Sequence, residues 1–298
     1  MVKKIGSFLG FVVSCFFIML ISFGCSADPS LDGATEVILY HVPNWTTDGR
    51  IIAHKETVRY KETFLSKKDP LPGSNEIVIM DADGENEETL FSTNQINISL
   101  LELSPSGNYV GMLADVDLLL YSVEGELLTN IEPEPTLSHI KFSPDESKLY
   151  GSEYFASMSF FDVPELNLLT QNEFGGGGAW MNLNTIIYED TIDRTLSTYN
   201  LNGDKILLNI NLSPDVFINS SNTVFGFGGT EIKKFVLEDS DYSTNSFSYS
   251  PYDYSDFTKQ QLSPDGKEIV MGVQGPASFN GTGIHILTIE TNQWRRLR

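Results

Sequence analysis

A short motif recurs along this chain at a spacing of about 39 residues, and it constrains the fold more than any other feature. The motif is a turn sequence of the Ser-Pro-Asp-Gly type, preceded by a large apolar residue and followed by a short apolar strand. Its four recognisable copies are 46–49, 104–107, 143–146 and 263–266. Self-similarity at such a period predicts an array of similar supersecondary units.

Two further columns of residues extend the repeat to six units. The apolar residue six positions after each motif start forms the first column: Ile52, Val110, Leu149, Ile187, Phe225 and Ile269. The second column is a hairpin turn whose glycine is Gly84, Gly125 or Gly203, because glycine readily adopts the positive φ that a tight hairpin needs. The intervening segments are short, apolar and bounded by turn residues, with no helical periodicity.

Six units of about 40 residues, each with room for four strands, predict an all-β fold. We expect a six-bladed β-propeller with four-stranded antiparallel blades over residues 36–298. Two closures of the ring are consistent with the sequence: residues 36–41 pair as the outer strand of the last blade, or residues 294–298 complete that blade alone.

The motif strand followed by the Asp81-Ala82-Asp83-Gly84 hairpin resembles the WD-like repeat of the TolB-type propellers. The resemblance covers residues 36–298 but not the α/β domain that precedes the propeller in TolB. It implies a propeller of the bacterial cell envelope that binds a protein partner through its rim and loops.

Residues 1–24 predict an export signal, because Lys3 and Lys4 precede a long apolar stretch that ends at Cys25. The Gly24-Cys25 pair resembles the site at which bacterial lipoproteins are cleaved and lipidated, although Ser22 and Phe23 depart from the usual pattern. We therefore expect lipidation at Cys25, a polar tether over 25–35 and, from Ser26, the outer membrane of a Gram-negative-type bacterium. An uncleaved membrane anchor is the alternative.

The formal net charge of −21 disfavours nucleic acid as a partner, since an acidic protein repels phosphate backbones. The acidity is spread along the chain, which is typical of a soluble surface on which like charges keep molecules apart.

Strand alternation predicts a ligand site in the axial channel. The residue two positions before each motif start should face the channel, and this column reads Asn44, Glu102, Lys141, Ala179, Phe217 and Gln261. We expect Asn44, Glu102, Lys141 and Gln261 to bind a small polar ligand or water.

A loop rich in tyrosine predicts a second contact surface. Tyr249, Tyr252 and Tyr254 lie among Ser and Asp residues, a composition found at protein-binding and sugar-binding surfaces. An ordinary connection between blades, with the rings tucked between sheets, is the alternative.

No catalytic group, metal site or cofactor site is predicted. His41, His54, His139 and His285 lie one per strand, in four different registers of the repeat. A metal cluster would need three or four of them to converge, so we expect a structural or surface role for each. In the acidic loop after Met80, Gly84 is fourth and Ser92 is twelfth, whereas a calcium loop needs Gly at the sixth position and Glu at the twelfth, so hairpin chemistry explains the loop better.

These observations favour a membrane-tethered, non-catalytic protein-binding or scaffold module of the envelope. Two alternatives stay open: a glycan-active lyase or hydrolase, or a glycan-binding module, working from the channel, and a purely structural lipoprotein with a passive surface.

Overall fold

The structure is a computed structural model that describes residues 34–62, 68–134, 137–153, 157–173, 175–190, 192, 195–208, 215–218, 223–228, 231–236, 241–246, 257–273 and 283–297. The chain divides into two compact units. The smaller comprises Met1–Glu36 and Arg59–Leu71, and its described part consists of strand segments, with Arg59 Nε donating to Glu36 Oε2 at 2.8 Å. The larger comprises Val37–Val58 and Pro72–Arg298.

The described residues form 24 strands in six four-stranded sheets. The first sheet contains β1 (Ala34–Trp45), β2 (Ile51–Glu62), β3 (Lys68–Met80) and β4 (Glu88–Thr93). The second contains β5 (Ile98–Leu103), β6 (Tyr109–Ala114), β7 (Asp117–Ser122) and β8 (Leu127–Ile131). The third contains β9 (His139–Phe142), β10 (Lys148–Ser152), β11 (Met158–Asp162) and β12 (Leu168–Asn172).

The fourth sheet contains β13 (Gly178–Trp180), β14 (Thr185–Asp190), β15 (Thr195–Asn200) and β16 (Lys205–Leu207). The fifth contains β17 (Asp215–Ile218), β18 (Thr223–Gly228), β19 (Glu231–Val236) and β20 (Asp241–Ser246). The sixth contains β21 (Phe257–Leu262), β22 (Glu268–Val273), β23 (Gly283–Thr288) and β24 (Gln293–Arg296). Each sheet follows chain order, and the strand pairs with described registers are antiparallel.

The apolar core lies between the sheets and not within one central cluster. Among the described residues it forms six clusters, each shared by two consecutive sheets, including one shared by the sixth sheet and the first. The larger unit is therefore a β-propeller, as the repeat predicts. The apolar column of the repeat supplies this core: Val110, Leu149 and Ile187 are among its fully buried members.

The last blade is completed by the C-terminal strand. β24 pairs with β23 as the outer strand of the sixth sheet, whereas β1 pairs within the first sheet. Of the two predicted closures, the structure has the one that uses the chain end alone. Arg295 Nη1 donates to the Ala82 carbonyl at 2.6 Å, so the sixth sheet is also hydrogen-bonded to the first.

The recurring motif is a hydrogen-bonded turn between the first two strands of a sheet. In the third sheet the buried Ser143 hydroxyl donates to Asp145 Oδ1 at 2.7 Å and accepts from the Lys148 amide at 3.0 Å. Ser263 makes the same contacts with Asp265 and Glu268. The motif thus satisfies buried polar groups locally, which is why its chemistry is repeated.

The N-terminal predictions fall largely outside the described residues. The export signal, Cys25 and most of the predicted tether precede residue 34, and β1 begins at Ala34, inside the last part of that tether. No helix among the described residues is long and apolar enough to cross a membrane.

Candidate functional site

The first strand of each sheet borders the centre of the propeller. These strands lie at one edge of their sheets. β5 lies against β9, β9 lies against β13, and β13 lies against β17. Side chains also join them: Asn44 Nδ2 donates to the Leu101 carbonyl at 2.9 Å, and Trp180 Nε1 donates to the Lys141 carbonyl at 3.0 Å.

A cavity of about 20 Å³ lies among the first strands of the first, second, third and sixth sheets. Its polar lining residues are Asn44, Glu102, His139, Lys141 and Gln261. The structure thus brings together the four residues predicted from strand alternation. A cavity of this volume accommodates about one water molecule.

Glu102 is the centre of a hydrogen-bonded group that we call the axial cluster, which also contains Asn44 and Lys141. Its Oε2 accepts from Lys141 Nζ at 2.7 Å and also from Asn44 Nδ2. Both charged side chains are largely removed from solvent, with 12% of the Glu102 side chain and 22% of the Lys141 side chain exposed. The cluster therefore joins three neighbouring blades by charge-assisted hydrogen bonds at the axis.

Burial raises the pKa of Glu102 above its usual value, while Lys141 and Asn44 act in the opposite direction. Desolvation disfavours the charged carboxylate, and a single lysine offsets only part of that cost. The cluster can exchange hydrogen bonds with a water or a single polar group in the cavity.

The other members of the predicted channel column differ from these four. Ala179 is buried in the apolar cluster between the fourth and fifth sheets, with Ile187 and Val224. The side chain of Phe217 lies outside the described residues, as do Tyr249, Tyr252 and Tyr254. The tyrosine surface therefore stays a prediction.

The structure brings two of the four histidines together. His41 on β1 and His54 on β2 have ring centroids 5.5 Å apart, because β1 and β2 are neighbours in the first sheet. His41 Nε2 lies 3.1 Å from Glu56 Oε2, and burial lowers the pKa of His54. In the part of the chain that the structure describes, no group of three or more His, Cys, Asp or Glu residues is arranged to hold a metal.

An exposed apolar surface on the outer strands is absent from the sequence predictions. We call it the rim patch, and it consists of Leu127 and Leu128 on β8, Leu168 and Leu169 on β12, and Ile206 and Leu207 on β16. Each of these residues is 39–61% exposed. Apolar side chains that recur on neighbouring blades mark an interaction surface more strongly than isolated ones do.

A β-bulge accounts for the paired leucines. Tyr121 pairs with Leu127 and Leu120 with Thr129, so Leu128 is an extra residue without a partner on β7. Leu169 occupies the same position between Leu168 and Thr170 in the third sheet. The sequence does contain a signal for this feature, since the triplet Leu-Leu-Thr occurs at 127–129 and 168–170, about one repeat apart.

The structure describes outer-strand side chains in the first four sheets and the sixth, and among these the rim patch is confined to the second, third and fourth sheets. The outer strand of the first sheet exposes Glu88 and Thr89, and that of the sixth exposes Gln293 and Arg296. Gln171 Nε2 on β12 donates at 3.3 Å to the carbonyl of Glu134, which lies in the connection that follows β8. The patch is thus a feature of three consecutive sheets and is absent from the outer strands of the first and sixth.

The surroundings of the rim patch are acidic. Seven exposed carboxylates lie in 122–134, 162–173 and 200–208: Glu124, Glu126, Glu132, Glu134, Glu165, Glu173 and Asp204. Within these three described ranges Lys205 is the one basic residue, and its Nζ forms an ion pair with the buried carboxylate of Asp190.

No protein-family model and no curated protein matches the sequence. Among solved structures, the chain is similar to Hsv2 of Kluyveromyces marxianus, with 12% identity, a TM-score of 0.55, and coverage of 88% of this chain and 100% of that chain. It is also similar to KlHsv2 with loop 6CD replaced by a Gly-Ser linker, with 13% identity, a TM-score of 0.53, and coverage of 86% and 91%. At this identity the likeness concerns the propeller fold alone.

Proposed function

We propose that this chain is a non-catalytic protein-binding module of a bacterial envelope, and that the rim patch is its docking surface. The observation that carries the proposal is the pair of exposed apolar residues on three consecutive outer strands. Exposing these side chains to water is unfavourable, and a partner that covers them gains the free energy of burying apolar area. The resemblance of the repeat to TolB-type propellers supports the same function.

The proposal includes attachment to a membrane through lipid on Cys25. The basic start, apolar stretch and Gly24-Cys25 pair of the sequence support it. A Cys25→Ala variant should lose lipid labelling by a radioactive fatty acid. Retained labelling would contradict the anchor without affecting the docking surface.

Site-specific photocrosslinking tests the docking surface. A photoreactive amino acid at Leu128 or Leu169, in the full-length chain in its native membranes, should form an adduct with one protein. The same amino acid at Thr89 or Gln293, which are exposed outer-strand positions of the first and sixth sheets, is the matched control. Identical adducts at all four positions, or none, would overturn the proposal.

The glycan-directed alternative depends on the axial cavity. At about 20 Å³ the cavity accommodates a water and not a sugar ring, and Glu102 Oε2 already accepts hydrogen bonds from Lys141 and Asn44. We therefore propose a structural role for the axial cluster, with water as its ligand.

A further inference from the structure

The acidic border of the rim patch restricts the chemistry of its partner. Six apolar side chains form the patch, and seven exposed carboxylates lie on the same strands and their flanking turns. Glu126 directly precedes Leu127, and Asp204 precedes the Lys205-Ile206 pair. A partner that covers the apolar residues must bring its own side chains close to these carboxylates, where opposite charge attracts and like charge repels.

We infer that the rim patch binds a protein segment whose apolar side chains are flanked by Lys or Arg. This inference rests on the protein-binding function proposed above and adds the chemical class of the partner. Lys205 does not alter the charge balance, because its ammonium group is already paired with Asp190. The long apolar stems of Lys and Arg also pack on leucine while their charged ends reach carboxylates.

Charge argues against two other occupants. A second copy of this chain in a two-fold contact would place the same patch, with the same seven carboxylates, against itself. An anionic lipid surface would repel the same groups. A protein segment with apolar side chains flanked by Lys or Arg complements both the apolar residues and the carboxylates of the patch.

The first test compares two synthetic peptides with identical leucine positions, one with Lys and the other with Glu at every polar position. The full-length chain is reconstituted in phosphatidylcholine nanodiscs, and binding is measured by fluorescence anisotropy. We expect the Lys peptide to bind about tenfold more tightly than the Glu peptide, and to weaken as salt is raised. Equal binding of the two peptides would overturn the inference.

Two variants of the chain locate the contact. A Leu127→Ser, Leu168→Ser, Ile206→Ser triple variant should lose binding, whereas Ile96→Ser, which removes an exposed apolar residue away from the outer strands, should retain it. A Glu126→Lys, Glu165→Lys, Asp204→Lys triple variant should reverse the preference toward the Glu peptide. Preference for Lys in spite of that reversal would place the contact elsewhere and overturn the inference.

Further measurements address the other occupants. Quenching of a Leu128→Trp variant by brominated phosphatidylcholine would assign the patch to lipid, and crosslinked dimers lost in the Ser variant would assign it to a second copy. Either result overturns the inference. If photocrosslinking at Leu128 captures a protein while the two peptides bind equally, the protein-binding function stands and the proposed partner chemistry fails.

Discussion

Lys141 Nζ lies 2.7 Å from Glu102 Oε2, and the two residues are 39 positions apart, one repeat of the propeller. Equivalent positions on neighbouring first strands thus carry opposite charges and form an ion pair beside the axis. Asn44, from the equivalent position of the first sheet, donates to the same Glu102 oxygen. Equivalent positions of three blades thus carry different polar residues, and these residues form hydrogen bonds that connect the three blades.

Replacement of Lys141 by Met should destabilise the protein, since it leaves the Glu102 carboxylate without its cation. We expect a loss of about 2 kcal/mol in the free energy of unfolding at pH 8, less than for a fully buried pair because both side chains are partly exposed. The Glu102→Gln, Lys141→Met double variant should recover most of the loss. Urea unfolding of the four proteins in the cycle measures the coupling, and additive effects would contradict it.

The stability of the protein should depend on pH through Glu102. Because its folded-state pKa is raised above the usual 4.5, the contribution of Glu102 is fully present below that value and is lost as pH rises through the folded pKa. Glu102→Gln removes this titration while leaving Lys141 charged. The stability of the Glu102→Gln variant relative to the native chain should therefore increase from about pH 4.5 upward, as measured by thermal melts. A decrease would show that Lys141 lowers the pKa of Glu102 by more than burial raises it.

Ser143→Ala should reveal the contribution of the recurring motif. The substitution removes the acceptor for the Lys148 amide and the donor to Asp145 in a fully buried turn. We expect a loss of about 1–2 kcal/mol by denaturant unfolding. Ser92→Ala, at an exposed position of β4, is the control and should change little. Equal effects of the two substitutions would exclude a special role for the motif hydroxyl.

Gly125→Ala and Gly203→Ala should differ, although both glycines have positive φ, +87° and +103°. Both variants incur the strain of a left-handed residue, about 1–2 kcal/mol. A Cβ on Gly125 would in addition overlap the Phe91 side chain of the first sheet, whereas nothing lies within 4 Å of one on Gly203. We expect Gly125→Ala to lose a further 1–3 kcal/mol, about the cost of overpacking, in the free energy of unfolding. Equal losses would show that the first and second sheets move apart at no cost in the free energy of unfolding.

The histidines show what an alignment of repeats does not report. His41 and His54 have different positions in the repeat alignment, yet their rings are neighbours because β1 and β2 lie side by side. Alignment compares equivalent positions in different blades and does not report contacts within a blade. The placement of β1 beside β2 in the first sheet brings these two rings together.

The sequence by itself determined the repeat, its turn chemistry and the positions of its apolar column, because these follow from residues close in the chain. Ser143 needs only Asp145 and Lys148 to form its turn, and Val110 is buried in any blade that has this strand pattern. The tertiary structure decided what depends on distant neighbours. Glu102 meets Lys141 only when two sheets pack side by side, and Leu128 is exposed while Leu120 is fully buried because β8, and not β7, is the outer strand.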